Sequence, residues 1–274
     1  MPTRRRGGAK RHQGRLDGAE MAARDWDRVA ADYFGEIVSP LVAGVPRPLL
    51  RALDAIPAAH RKTAGDLGCG IGTLLPTLAA RFGQVRAIDF SPAMLARARD
   101  ACAERHVSFH RADLADLGAD AGRFRARLDV AVSVNAVLTP DAERLDRIFD
   151  GLRAVLCPGG VLLGIFPAME PVLYQGFLIH ERERRTHEPL RARRRTSRIL
   201  ERAKYDFVHG TYRAGVRTQK FFYGFELRHR LRRAGFRRVR LGRVTYPWGP
   251  AVGGYESFPG EPPMWDWLVR SDPV

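Results

Sequence analysis

The sequence predicts an α/β fold: a mostly parallel, doubly wound sheet of seven strands, with a helical insertion toward the C-terminal side. Three observations carry that expectation. Strand-length apolar runs alternate with helical patterns from residue 63 to residue 166. A glycine-rich loop follows the first of those runs. The alternation breaks over residues 168–220 and resumes beyond them.

Strands are expected at 63–67, 85–89, 107–110, 128–134 and 161–166, with helices over 73–82, 92–105 and 140–156. Such alternation implies parallel strands covered by helices on both faces. Ser91–Pro92 and Thr139–Pro140 each place a capping hydroxyl before a proline at the first helical position. Pro158, Gly159 and Gly160 stop the third helix ahead of a continuous apolar strand. A helix over 225–234, stopped by Gly235, and strands at 237–241 and 265–269 complete the sheet.

Upstream of the sheet, Trp26, Val29, Ala30, Tyr33, Phe34 and Ile37 fall at helical spacing over 21–38, and a second short helix is expected at 48–55. The chain thus divides into a disordered basic tail (1–18), N-terminal lid helices (19–58), a sheet core (59–167), an Arg-rich helical insertion capping the substrate (168–220), and a C-terminal helix and strands (221–274).

Composition narrows the class. With 274 residues and 45% hydrophobic content a sizeable core is affordable. No apolar run approaches the roughly 20 residues of a membrane helix. The basic N-terminus lacks the apolar stretch of a secretory signal. Cys69, Cys102 and Cys157 form neither a disulfide framework nor a zinc pattern, so a reducing cytoplasm is expected. The net charge of +16 is concentrated: residues 1–15 hold six Arg or Lys and no acid, and residues 176–240 hold 20 against six acids. Two explanations fit, a phosphate-binding surface or compositional bias, since Lys occurs only at 10, 62, 204 and 220.

The loop reads Asp66-Leu67-Gly68-Cys69-Gly70-Ile71-Gly72-Thr73, between a strand end and a helix start. Open α/β sheets bind ligands at the carboxyl ends of their strands, so the placement suits a ligand site. A dinucleotide loop reads G-x-G-x-x-G and rests a pyrophosphate on the helix N-terminus. This one is G-x-G-x-G, a residue shorter, and Asp66 ahead of it would repel a pyrophosphate but suit a ligand carrying an ammonium and a sulfonium. Asp89 ends the second strand, where a carboxylate can accept from both hydroxyls of a ribose.

These residues resemble the class I methyltransferases that use S-adenosylmethionine (SAM) and share a Rossmann-like fold. Residues 66–72 are similar to their first motif, Ala87-Ile88-Asp89 to their acidic end of strand two, Ala112-Asp113-Leu114 to the motif after strand three, and Leu156-Cys157-Pro158-Gly159-Gly160 to the turn before strand five. The resemblance implies that Gly68, Cys69, Gly70 and Gly72 frame the methionine part of SAM and that Asp66 holds its amino group, directly or through water. It further implies that Asp89 binds the ribose, Phe90 packs on the adenine, and Asp113 meets the adenine amine beside Leu114. Asp113 also reads as a helix cap, and Cys69 as a space-filling residue rather than a reactive thiol.

The catalytic position of the family follows strand four, here Ser133-Val134-Asn135-Ala136-Val137-Leu138. It departs from the (N/D)PP(Y/F) signature of enzymes that methylate exocyclic base nitrogens. Asn135 is polar at the right place to orient a substrate, and it also reads as a cap for the loop before Pro140. Tyr33, paired with Trp26, resembles the tyrosine of a lid helix that approaches SAM; the same spacing also makes an ordinary apolar face. Glu170, Tyr174, His180, His209 and Tyr212 enter the list of candidate bases from the insertion, and no cluster has metal-ligand spacing. Three functions are weighed: a methyltransferase acting on an O, N or C atom of a small molecule, an RNA methyltransferase using the Arg-rich insertion and tail, and a non-catalytic SAM-binding protein. Oligomeric state is not readable from the sequence.

Overall fold

The computed structural model describes residues 22–29, 47–119, 123–202, 205–214, 217–246, 258, 260–261 and 264–272. The tail at 1–18 and half of the lid segment, Tyr33 included, lie outside the described residues. What is described of the lid is α1 (Ala23–Val29) and α2 (Arg47–Asp54).

Seven strands form one sheet: β1 (Thr63–Leu67), β2 (Gln84–Asp89), β3 (Val107–Arg111), β4 (Leu128–Val134), β5 (Leu156–Phe166) and, from the C-terminal part, Arg240–Tyr246 and Met264–Arg270. Between them run α3 (Leu75–Ala79), α4 (Pro92–Ala101) and α5 (Ala142–Ala154). The insertion supplies α6 (Glu170–Arg184), α7 (Pro189–Arg202), and three short strands, β6 (Tyr205–Asp206), β7 (Thr211–Ala214) and β8 (Arg217–Lys220). After it come α8 (Gly224–Arg233), β9 (Arg240–Tyr246) and β10 (Met264–Arg270).

The sheet order is β3-β2-β1-β4-β5-β10-β9. β1 to β5 run parallel to one another, while β10 runs antiparallel to both β5 and β9. This is the expected seven-stranded, mostly parallel, Rossmann-like sheet. Order reverses between β1 and β4, and the crevice outside the strand ends at such a switch point is where ligands bind.

Side chains leave the sheet alternately to two cores. Ala64, Val85, Ala87, Val130, Val132, Leu163 and Ile165 join Leu49 and Leu53 of α2, Leu75 and Leu78 of α3 and Leu95 and Ala98 of α4. Leu67, Ile88, Ala131, Leu162 and Phe166 turn the other way, to Leu145, Phe149 and Leu152 of α5 and Leu227 and Leu231 of α8. Period-two alternation explains the split within single strands. Each fully buried Leu, Ile or Phe contributes about 1.5–3 kcal/mol. Phe149, Phe166 and Phe222 meet with centroids 5.6–6.1 Å apart, closing the second core beside the insertion.

Some edges differ from the sequence reading. α5 is capped not by Thr139 but by Asp141, whose carboxylate accepts from the Arg144 N–H at 2.6 Å; Thr139 instead accepts from the Asp141 N–H. A carboxylate outdoes a hydroxyl at the positive end of a helix. That helix stops at Ala154, so Pro158-Gly159-Gly160 falls inside β5, where the ladder with β4 shifts register between Leu128 and Val130. Of the helix expected at 73–82, only Leu75–Ala79 is α-helical. The last two sheet strands run to Tyr246 and from Met264. The insertion is helical for two elements and then folds as a three-stranded antiparallel sheet, β6-β7-β8. Its base is closed: Phe222 bridges to Ala168, its N–H donates to Pro167 O and its carbonyl accepts from Met169 N–H. Among the described residues no helix is long and apolar enough to cross a membrane.

Candidate active site

The loop after β1 needs three glycines for backbone reasons. Gly68, Gly70 and Gly72 have φ of 78°, 54° and 83°, a region that costs L side chains energy. The loop is tied to the end of β2: Gly68 and Cys69 N–H groups donate to Ile88 O, and Gly70 N–H donates to Asp89 Oδ2 at 2.9 Å. Asp89 Oδ1 accepts from Ser91 N–H at 2.9 Å. Burial lifts the Asp89 carboxyl, and the N–H groups of Ser91, Gly70 and Phe90 work against that rise.

Asp66, on β1, is 3% exposed, and its Oδ2 has no hydrogen-bond partner. Burial first, and the charge of Asp89 second, push its pKa up to about 7. An orphaned buried carboxylate oxygen costs energy unless a donor or a cation reaches it.

A cleft opens at the carboxyl ends of these strands. Of the sequence-derived residues, Gly68, Gly70, Asp89, Phe90, Asp113, Leu114 and Asn135 line it. Asp66, Cys69 and Gly72 do not; they stand behind the lining. The Cys69 thiol is buried, and its pKa is raised by desolvation and then by Asp66 and Asp89, so it stays protonated. Asp113 both caps a turn and faces the cleft: Oδ1 accepts from Ala115 N–H at 2.9 Å, and Oδ2 pairs with Arg144 Nη2 at 2.6 Å.

Asn135 follows β4 with φ of 47°, a left-handed angle that Asn tolerates better than most residues. Its N–H donates to Ile165 O at 2.8 Å. Its Nδ2 is 3.5 Å from Asp266 Oδ2, while its Oδ1 is buried without a partner. Asp266, half-buried on β10, also accepts from Tyr246 Oη at 2.5 Å and from Ala168 N–H at 3.1 Å. Burial lifts it to about 6 against those donors.

Sequence reading missed Asp266, Tyr246, Arg144, Thr218 and Gln219. The last three line the cleft, Thr218 and Gln219 reaching it from β8 of the insertion. β8 is anchored there by Lys220 N–H donating to Leu138 O at 2.9 Å. Only Arg144 left a trace in the sequence, as a charge opposite to Asp113 in the first turn after the strand-four loop. The candidate bases of the insertion stay out of the lining. Glu170 accepts from Gly224 N–H and Trp267 Nε1, Tyr174 donates to Glu261, His180 meets Thr196, and His209 pairs with Asp206.

Comparison with known proteins gives a domain match and a shared fold. Residues 65–160 fit the family model of a methyltransferase domain. A trans-aconitate 2-methyltransferase of Methylobacterium radiotolerans is 37% identical over 121 residues, 42% of this chain and 42% of that protein. The chain therefore spans about two fifths of the length of the curated relative it matches. Solved structures extend the likeness in fold. A chain of the complex between the Haloferax volcanii Trm112 methyltransferase activator and a methyltransferase is 18% identical, covering 90% of this chain and 97% of that one, with a TM-score of 0.58. The DhpI complex with SAM and HEP is 17% identical over 90% of this chain and 92% of that one, with a TM-score of 0.57. Residues 65–160 thus match a methyltransferase domain, set in a Rossmann-like sheet that the C-terminal strands complete.

Proposed function

We propose that the chain transfers a methyl group from SAM to an oxygen, nitrogen or carbon atom of a small molecule. The observation that carries this reading is the unpartnered Oδ2 of Asp66 behind a loop already sealed by Asp89. Two buried acids side by side suit a ligand with positive charge and disfavour a pyrophosphate. The residues fit SAM: Asp66 would take the ammonium, Gly68 and Gly70 the methionine part, Asp89 the ribose, and Phe90, Leu114 and Asp113 the adenine.

SAM, when bound, supplies an electrophilic methyl carbon with its own leaving group. The chain's task is then to orient a nucleophile and exclude water. Asn135 is placed for the first part: Asp266 engages its Nδ2 end, which leaves Oδ1 as an acceptor for the N–H or O–H of an incoming nucleophile. Thr218 and Gln219 wall the cleft from the insertion, in keeping with a substrate cap. The small-molecule acceptor draws support from the trans-aconitate methyltransferase relative.

SAM should raise the melting temperature of the chain, and Asp89→Ala should abolish the rise. Tritiated-SAM labelling of a cell extract, fractionated into small molecules, RNA and protein, then identifies the acceptor. Label found only in RNA would replace the small-molecule reading. That alternative has one structural support, the exposed Arg191, Arg193, Arg194 and Arg198 of α7.

A further inference from the structure

Asp27 of α1 meets the first turn of α4. Its Oδ1 accepts from the Ser91 hydroxyl and from Ala93 N–H at 3.2 Å. Ser91 is wholly buried and is the N-cap of α4, its Oγ accepting from Met94 N–H at 3.1 Å. The Ser91 N–H holds Asp89 Oδ1. One buried serine therefore joins the N-terminal helix to the carboxylate that the functional reading gives to the ribose.

We propose that Asp27 is a positioning residue of the cofactor site, docking α1 on α4 and keeping Asp89 open for the ligand. This rests on the SAM reading above. A serine hydroxyl has a single proton. Asp27 accepts it in a hydrogen bond, which fixes the hydroxyl on the α1 side while the Ser91 N–H holds Asp89 Oδ1, and the remaining acceptor capacity of Asp89 is available to ribose hydroxyls. Asp27 also puts a negative charge at the positive end of α4, a favourable placement that holds α1 in register. The geometry needs both features, since the same oxygen serves Ser91 and Ala93.

Charge gives a second consequence. Asp27 raises the proton affinity of Asp89, after burial. The groups facing Asp89 are Asp66 of β1, Cys69 of the loop and Asp27 of α1, with Arg99 of α4 acting on Cys69 and Arg111 of β3 donating to Phe90 O. Removing the charge of Asp27 while keeping its hydrogen bonds lowers the pH at which Asp89 takes up a proton.

The test uses the full chain, with SAM as the titrant in calorimetry at pH 7.5 and across pH 5–8. Hydrogen exchange of the peptides spanning 22–29 and 91–98 is followed in parallel, without SAM. Asp27→Ala should weaken SAM binding roughly tenfold, the scale of one lost hydrogen bond to a charged group. It should also speed exchange at the Ala93 and Met94 amides. Asp27→Asn keeps an acceptor oxygen, so its affinity at pH 7.5 and its exchange should stay near wild type, while the acid-side loss of binding moves to lower pH. A purely structural role for Asp27 would not move that limb. SAM affinity within twofold of wild type in Asp27→Ala, or an unmoved acid limb in Asp27→Asn, overturns the inference alone. A wild-type chain that binds no SAM overturns the functional reading and this inference with it.

Discussion

Asp89, on the strand next to Asp66, makes the surroundings of Asp66 hostile to charge: burial, and behind it the charge of Asp89, holds the Asp66 carboxyl near pH 7. The sheet brings them to the same carboxyl edge, because Asp66 is the penultimate residue of β1 and Asp89 the last of the neighbouring β2. An acid balanced at neutral pH is sensitive to any cation brought against it.

SAM binding should therefore release a proton. Near pH 7 about half of the Asp66 side chains carry one, and pairing with the ligand's ammonium favours the ionised form. Calorimetry in buffers of different ionisation heat should read a release on the order of half a proton. Binding without proton exchange would remove Asp66 from the ammonium.

The same acid sets a stability trend in the ligand-free chain. Its folded pKa is raised, so its contribution is fully present below its unfolded value of 3.8 and is lost as pH rises through about 7. Asp66→Asn should melt close to wild type at pH 4 and higher than wild type at pH 8, by a margin of order 2–4 kcal/mol. Thermal melts at both pH values check the sign; equal shifts would refute it.

Tyr246→Phe should cost about 1–3 kcal/mol above pH 7, because it takes a donor from the Asp266 carboxylate. Asp266 is lifted to about 6, so the penalty should shrink toward pH 5, where the carboxyl is increasingly neutral. Urea unfolding at pH 5 and pH 8 measures the difference. A penalty independent of pH would mean that the hydroxyl serves packing only.

Gly68→Ala should destabilise strongly. The added methyl would lie 2.2 Å from Ala136 Cβ, and φ is 78°. Overpacking and left-handed strain together predict a loss of about 2–4 kcal/mol. Ala136→Gly in the same chain should recover the clash part and leave the strain, so a full rescue in a melt would show that the backbone angle costs nothing there.

How far the sequence carried can be read from single residues. Ser91 caps its helix as expected, Asp89 ends β2 as expected, and Asp66 lies within β1, which spans 63–67 as expected, because strand period and cap chemistry act within a few residues. Thr139 lost its cap to Asp141, two residues on, since two nearby residues can both accept at a helix start and local pattern does not rank them. Asp266 was invisible for another reason. In sequence it is one acid in the aromatic run Met264-Trp265-Asp266-Trp267; only the antiparallel return of β10 beside β5 brings it to Asn135, 131 residues away. Thr218 and Gln219 reach the cleft through a small sheet whose strands are too short to announce themselves.

That small sheet has an evolutionary consequence. Its base is fastened by Phe222 on the 167–169 segment, and its last strand is stitched to the strand-four loop by one backbone bond, Lys220 to Leu138, which any side chain at position 220 can make except proline. The side chains of residues 218 and 219 are therefore free to be exchanged, or the hairpin before them lengthened, while the attachment points hold. The wall of the cleft is a replaceable part on a fixed frame, and new acceptors can be tried there without reopening the glycine loop or the two acids behind it.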